Sequence, residues 1–159
     1  MSKVFIMCGK LCSGKSTYAN KIRSTHKAVI LSIDEITLAL FGQDAGEKHD
    51  DYSKRAQKYL YGKSLDILEM DINVILDWGF CTKSERNFAR EFYRSRNIPS
   101  EFYYIDIDDE EWNRRIEKRN RDVLVGKTNA YYVVDELIAK LDSIFEMPDR
   151  NEIDVWIQS

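Results

Sequence analysis

The chain has 159 residues, 43% hydrophobic and 32% charged, with a net charge of −3 and a pI near 5.5. That is enough apolar material to build a core without disulfides or metal, and too much for a disordered chain. No apolar run approaches the roughly 20 residues that cross a bilayer, and the start of the chain lacks the apolar stretch of a secretory signal, so one cytoplasmic domain over 1–159 with no membrane partner is expected.

The first predicted element is a strand over Lys3–Cys8. Gly9, Lys10, Leu11, Cys12, Ser13, Gly14, Lys15 and Ser16 follow it and spell G-x-x-x-x-G-K-S, the pattern of a phosphate-binding loop. Its glycines let the backbone bend so that several N–H groups converge on one phosphate. Lys15 adds a cation for the β- and γ-phosphates, and the Ser16 hydroxyl is of the kind that ligates Mg²⁺. A helix from Ser16 to Ser24 would contribute its positive N-terminus to the same anion. Cys12, in the loop, reads as a small residue that fits a tight turn. The three cysteines are an odd number without C-x-x-C spacing, which argues against both a disulfide framework and a zinc site.

A second strand is predicted over Ala28–Ile33, ended by Asp34. A strand-end carboxylate should face the same crevice as the phosphate loop, where it would take a hydroxyl proton or hold Mg²⁺ and its waters. The alternative is an N-cap for a helix through Gly42. Residues 42–51 form a polar segment suited to a substrate flap, in which His49 reads as an exposed loop residue. Apolar spacing predicts a helix over Tyr52–Met70. A third strand, Asn73–Asp77, closes on an Asp placed to hold Mg²⁺ with the loop hydroxyl. Trp78 follows, either stacking on a substrate ring or packing.

A helix over Thr82–Arg96, with Thr82 or Ser84 as cap, and a strand over Glu101–Ile107 come next. In the helix predicted over Asp109–Asn120, Trp112, Ile116 and Arg119 recur at i, i+4 and i+7. Arg119 therefore lies above the apolar stripe, with Arg115 one turn before it on the flank. An arginine there can reach the phosphates and stabilise charge that grows during transfer. Residues 120–129 read as a mobile ATP lid, Ala130–Phe145 as a helix and Ile153–Ile157 as a last strand. Apolar strands alternating with amphipathic helices imply a three-layer, doubly wound α/β domain around a parallel sheet.

The segments Gly9–Thr17, Ser32-Ile33-Asp34, Val74–Asp77, Arg86, Arg115-Ile116 with Arg119, and Phe145-Glu146-Met147-Pro148 together resemble the small phosphate-loop kinases related to chloramphenicol phosphotransferase, zeta toxins and the kinase half of polynucleotide kinase, in the adenylate-kinase-like division. The resemblance implies a five-stranded sheet of order 2-3-1-4-5 and Asp34 as general base. It also implies Arg115 and Arg119 in a lid that closes on ATP, residues near Pro148 beside the adenine, Thr17 with the nucleotide, and Arg86 with Asp34 and Trp78 on the acceptor side. The expected activity is ATP- and Mg²⁺-dependent phosphorylation of a small-molecule hydroxyl, the acceptor being open among antibiotics, sugars, nucleosides and sugar nucleotides. A 5′-hydroxyl polynucleotide kinase is an alternative, but the acidic balance makes nucleic acid an unexpected partner. A regulatory nucleotide switch is another; the N-K-x-D segment that guanine recognition would need does not occur.

Overall fold

Five apolar residues in succession, Val4–Cys8, form β1, and every one is at most 1% exposed. A strand with no polar alternation is stable only when both of its faces are covered. β1 therefore runs through the centre of the sheet, in a computed structural model that describes residues 1–159. It pairs in parallel with β3 (Asn73–Asp77) on one side and β4 (Ser100–Asp106) on the other. β2 (Ala28–Leu31) lies outside β3 and β5 (Val155–Gln158) outside β4, giving the parallel order β2-β3-β1-β4-β5. That is the sheet order the kinase resemblance implied.

Side chains alternate across the sheet and divide the core. Phe5, Met7, Ile75 and Ile105 face α1 (Lys15–Thr25), whose Ala19 and Ile22 are buried among them. Val4, Ile6, Val74, Leu76, Phe102 and Tyr104 face the opposite layer, with Leu60, Tyr61 and Leu68 of α3 (His49–Glu69) and Ala89 and Tyr93 of α4 (Lys83–Arg94). Burying such a side chain stabilises the fold by roughly 1.5–3 kcal/mol. A third cluster joins Cys12 and Ile107 to Trp112 and Ile116 of α5 (Asp109–Leu124) and to Val133, just before α6 (Asp135–Ile144). No helix is long and apolar enough to cross a membrane.

Several boundaries depart from the expected ones, each for a local reason. β2 stops at Leu31 because the Ser32 hydroxyl accepts the Glu35 amide at 3.3 Å and caps α2 (Ile33–Phe41). Asp34 thus sits in the first turn of a helix, neither ending a strand nor capping. The flap segment 42–51 is partly helical: a 3-10 turn covers Gly46–Lys48 and α3 already begins at His49, with Asp50 and Asp51 favouring its N-terminus. The lid segment 120–129 begins inside α5, which a Lys118–Asp122 pair at 3.0 Å helps carry to Leu124. The helix expected from Ala130 starts only at Asp135, because the backbone of 130–133 is bonded elsewhere by side chains. Thr82 is the cap of α4, its hydroxyl accepting the Glu85 amide.

Candidate active site

The turn between β1 and α1 depends on two glycines. A Cβ on Gly9 (φ +150°) would sit 2.9 Å from Ser13 Oγ and 3.1 Å from the Ile105 carbonyl. One on Gly14 (φ +108°) would sit 3.1 Å from Arg115 Nη1. The ring is held internally by the Ser13 amide on the Lys10 carbonyl at 3.1 Å and externally by Gly9 on the Gly79 carbonyl at 2.9 Å. The amides of Lys10, Leu11, Cys12 and Gly14 donate to no protein acceptor. α1 then starts on Gly14 without a side-chain cap and without an acid in its first turn. Free amides beside an uncompensated helix N-terminus form an anion-binding concavity.

Around this loop the fold gathers the expected side chains. Lys15 Nζ rests on the Lys10 carbonyl at 2.8 Å, and the exposed Ser16 hydroxyl donates to Asp77 Oδ2 at 3.0 Å. The parallel register, which sets Met7 opposite Asp77, brings that strand end to the loop. Asp34 keeps a solvent-exposed surface, yet the protein crowded round its carboxyl removes enough water to push it above the ordinary carboxylate range. Lys15 pulls it back, Asp77 pushes it up, and Arg119 and His49 pull it down, so all four share one electrostatic space with Asp34. Arg119 is half-buried and forms no ion pair. Arg115 lies along the loop, its Nη1 on the Ser13 carbonyl at 2.7 Å and its Nε on Glu111 at 2.9 Å. Hydrogen bonds from Arg114 and Arg115 hold the Glu111 carboxyl at about 2. Burial raises the Cys12 and Cys81 thiols and takes Cys8 to about 12, so none is a ready thiolate. Thr17, exposed in the first turn of α1, flanks the same mouth.

Other expected residues go elsewhere. Arg86 is 1% exposed, with Nε on Glu152 at 3.1 Å and Nη1 on the Phe80 carbonyl at 3.0 Å; it is a structural cation and not an acceptor contact. Burial pushes the Glu152 carboxyl up, but the Asp149 amide and Arg86 bring it below its usual range. Breaking such a buried pair from one side costs about 3–5 kcal/mol. The Trp78 ring is stacked on Phe80 at 5.1 Å and edge-on to Tyr61 at 5.4 Å, which is the packing alternative. Pro148 is buried in a segment fastened to the start of α4 by the Glu146 amide on the Cys81 carbonyl. It offers no open surface to a base. The Lys10 ammonium turns from the loop to the Trp112 ring at 4.3 Å and to Asp142 at 3.3 Å. His49 is half-buried, edge-on to Tyr131 at 5.7 Å.

The sequence reading missed Thr37 and Tyr131. The Tyr131 hydroxyl donates to Thr37 Oγ1 at 2.6 Å, and that oxygen in turn donates to the Asp34 carbonyl at 3.3 Å. The Thr37–Tyr131 contact spans 94 residues of sequence, and no local motif announces it.

Residues 4–146 match the protein family described as AAA domain. No curated protein matches the chain. Among solved structures, the chain is similar to a sugar kinase from Janibacter (15% identity, TM-score 0.69, covering 99% of this chain and 86% of that one). It is similar to the APS kinase CysC of Mycobacterium tuberculosis, determined with AMPPNP and APS (16% identity, TM-score 0.64, 99% and 88% covered). A chain of the Pnkp1/Rnl/Hen1 RNA repair complex is a further neighbour (24% identity, TM-score 0.71, 89% and 43% covered). The fold is therefore that of the phosphate-loop kinases. The last neighbour corrects one expectation: it belongs to an RNA repair complex, which stands against leaving nucleic acid out of the possible partners.

Proposed function

We infer that this chain, which belongs to the AAA-domain family, is an ATP- and Mg²⁺-dependent kinase that transfers the γ-phosphoryl group to a hydroxyl of a small molecule. The observation that carries this reading is the ring of free loop amides beside the Ser16–Asp77 contact. A hydroxyl and one carboxylate 3.0 Å apart are hard oxygen donors of the kind Mg²⁺ takes when phosphates and water complete its shell. Ser16 and Asp77 would hold it. Held there, it would supply positive charge against the phosphate oxygens.

The chain's own groups do the rest. The loop amides and Lys15 grip the phosphates, and the half-buried, unpaired Arg119 steadies charge on the transferred group. Asp34 accepts the acceptor's proton as its oxygen bonds to phosphorus and the bond to the β-phosphate oxygen breaks, releasing ADP. Its raised pKa makes it a better base near neutral pH than an ordinary carboxylate.

Four measurements test this. A metabolite pool treated with γ-labelled ATP should yield one labelled phosphate ester, and labelling only of inorganic phosphate would defeat the acceptor reading. Asp34→Asn should lower kcat by about 100-fold or more with nucleotide binding intact. Turnover requires ionised Asp34, so kcat should fall as pH drops through a value above the ordinary carboxylate range. The same shift disfavours the ionised form in the folded state, so at pH 7 Asp34→Asn should raise Tm while activity falls.

A second reading, a 5′-hydroxyl polynucleotide kinase, is favoured by the likeness to the RNA repair chain. A groove of about 530 Å³ runs from Ser16 and Asp77 past Asn20 to Arg23, but Glu35 faces it and Arg23 is its one cation. That is poor footing for a polyanion. Salt-sensitive oligonucleotide binding would favour the second reading over the first.

A further inference from the structure

Residues 130–134 lie between the acceptor side of the cleft and α5, and two side-chain amides hold their backbone. Gln43, just after α2, donates from Nε2 to the Ala130 carbonyl at 2.7 Å, and its Oε1 accepts the Tyr132 amide at 2.9 Å. Asn120, next to Arg119 on α5, donates to the Val133 carbonyl at 2.8 Å and accepts the Val133 amide at 2.7 Å. Each amide satisfies a backbone donor and a backbone acceptor, a two-point grip that fixes orientation as well as position. The side chains of the segment reach further. Val133, 2% exposed, packs in one cluster with Cys12 of the phosphate loop, a non-glycine residue held at φ 61°. Tyr131 reaches Thr37 and, through it, the first turn of α2 that carries Asp34.

We propose that Gln43 and Asn120 are positioning residues that fasten segment 130–134 as a strap, so that Asp34, the phosphate loop and Arg119 move as one unit. The roles of Asp34 and Arg119 rest on the kinase reading; the mechanical coupling does not. Loosening either end of the strap frees the other, because Tyr132 and Val133 are consecutive and share one backbone.

Native-state amide exchange without nucleotide decides the coupling. Gln43→Ala should speed exchange at Val133, and Asn120→Ala at Tyr132, each by roughly tenfold, the loss of one intramolecular hydrogen bond's worth of protection. If each variant speeds only the amide it touches, the strap is two separate contacts and the proposal falls. Gln43→Glu and Asn120→Asp keep the acceptor and lose the donor, so they replace any alanine variant that does not fold. In turnover, each single variant should lower kcat roughly tenfold while the Kd for Mg·AMPPNP stays unchanged, and the double variant should be no slower than the slower single. Losses that multiply, or an unchanged kcat, would overturn the proposal. A wild-type chain with no kinase activity would instead remove the kinase reading and leave the exchange result to judge the strap.

Discussion

α1 and α5 follow the neighbouring strands β1 and β4, and their N-termini are built in opposite ways. α5 is finished by the protein: Asp108 accepts the Glu111 amide at 2.8 Å, and Asp109, Glu110 and Glu111 fill its first turn. α1 begins on a glycine with no side-chain cap, and it is the one α-helix of six whose first turn holds no acid. Open donors and an unopposed dipole at a helix start are unfavourable in themselves. The chain satisfies every other helix start at least with carboxylates, and the kinase reading assigns the anion at the bare one to a ligand. The start of α5 even touches the loop that leads into α1, since Trp112 Nε1 donates to the Leu11 carbonyl at 2.7 Å. Proximity alone therefore does not make a helix end functional.

The comparison breaks first at Lys15. Lys15→Ala removes the cation but leaves the amides, and should weaken ATP binding on the order of 100-fold, the scale of a lost charge-assisted hydrogen bond. Calorimetry giving wild-type affinity would mean that the loop does not bind the triphosphate. A smaller effect sharpens the contrast: Thr17→Glu gives α1 the acid that α5 already has. It should stabilise the fold by about 0.3–1 kcal/mol through the helix dipole while weakening ATP roughly tenfold by repelling its phosphates. Thermal melts and calorimetry on one variant should thus move in opposite senses. A stability gain with unchanged affinity would show that α1 does not meet the nucleotide.

Much of this was legible in the sequence because the signals are either contiguous or anchored to strand ends. The phosphate loop is eight successive residues, and its partner Asp77 lies 61 residues beyond Ser16 but closes an apolar strand, so the two were expected together. The strand order came with the family resemblance, since periodicity gives elements and not neighbours. What stayed hidden depends on long-range pairing of ordinary side chains. Arg86 reads as a cleft arginine until Glu152, 66 residues later, turns out to sit beside it in the core. Gln43 finds its carbonyl 87 residues away, with nothing in its local pattern to mark it. Asp34 lies in a helix and not at a strand end through competition over two positions: an apolar run favours strand through Ile33, and the Ser32 hydroxyl ends it first.

The smallest expected effect tests the other half of the comparison. Asp108→Ala removes the α5 cap, which should lower stability by about 1 kcal/mol, read as a fall in Tm. ATP affinity should stay within twofold of wild type, because the carboxyls that remain at that helix start keep its dipole neutralised and Trp112 is held by its burial at 2% exposure. The informative failure is a loss of affinity as large as that of Thr17→Glu. Fraying of the first turn of α5 would then have travelled through the indole N–H to the Leu11 carbonyl and opened the phosphate loop. In that case the capped helix end would be part of the binding site's support, and the contrast would lie in how each end serves the anion.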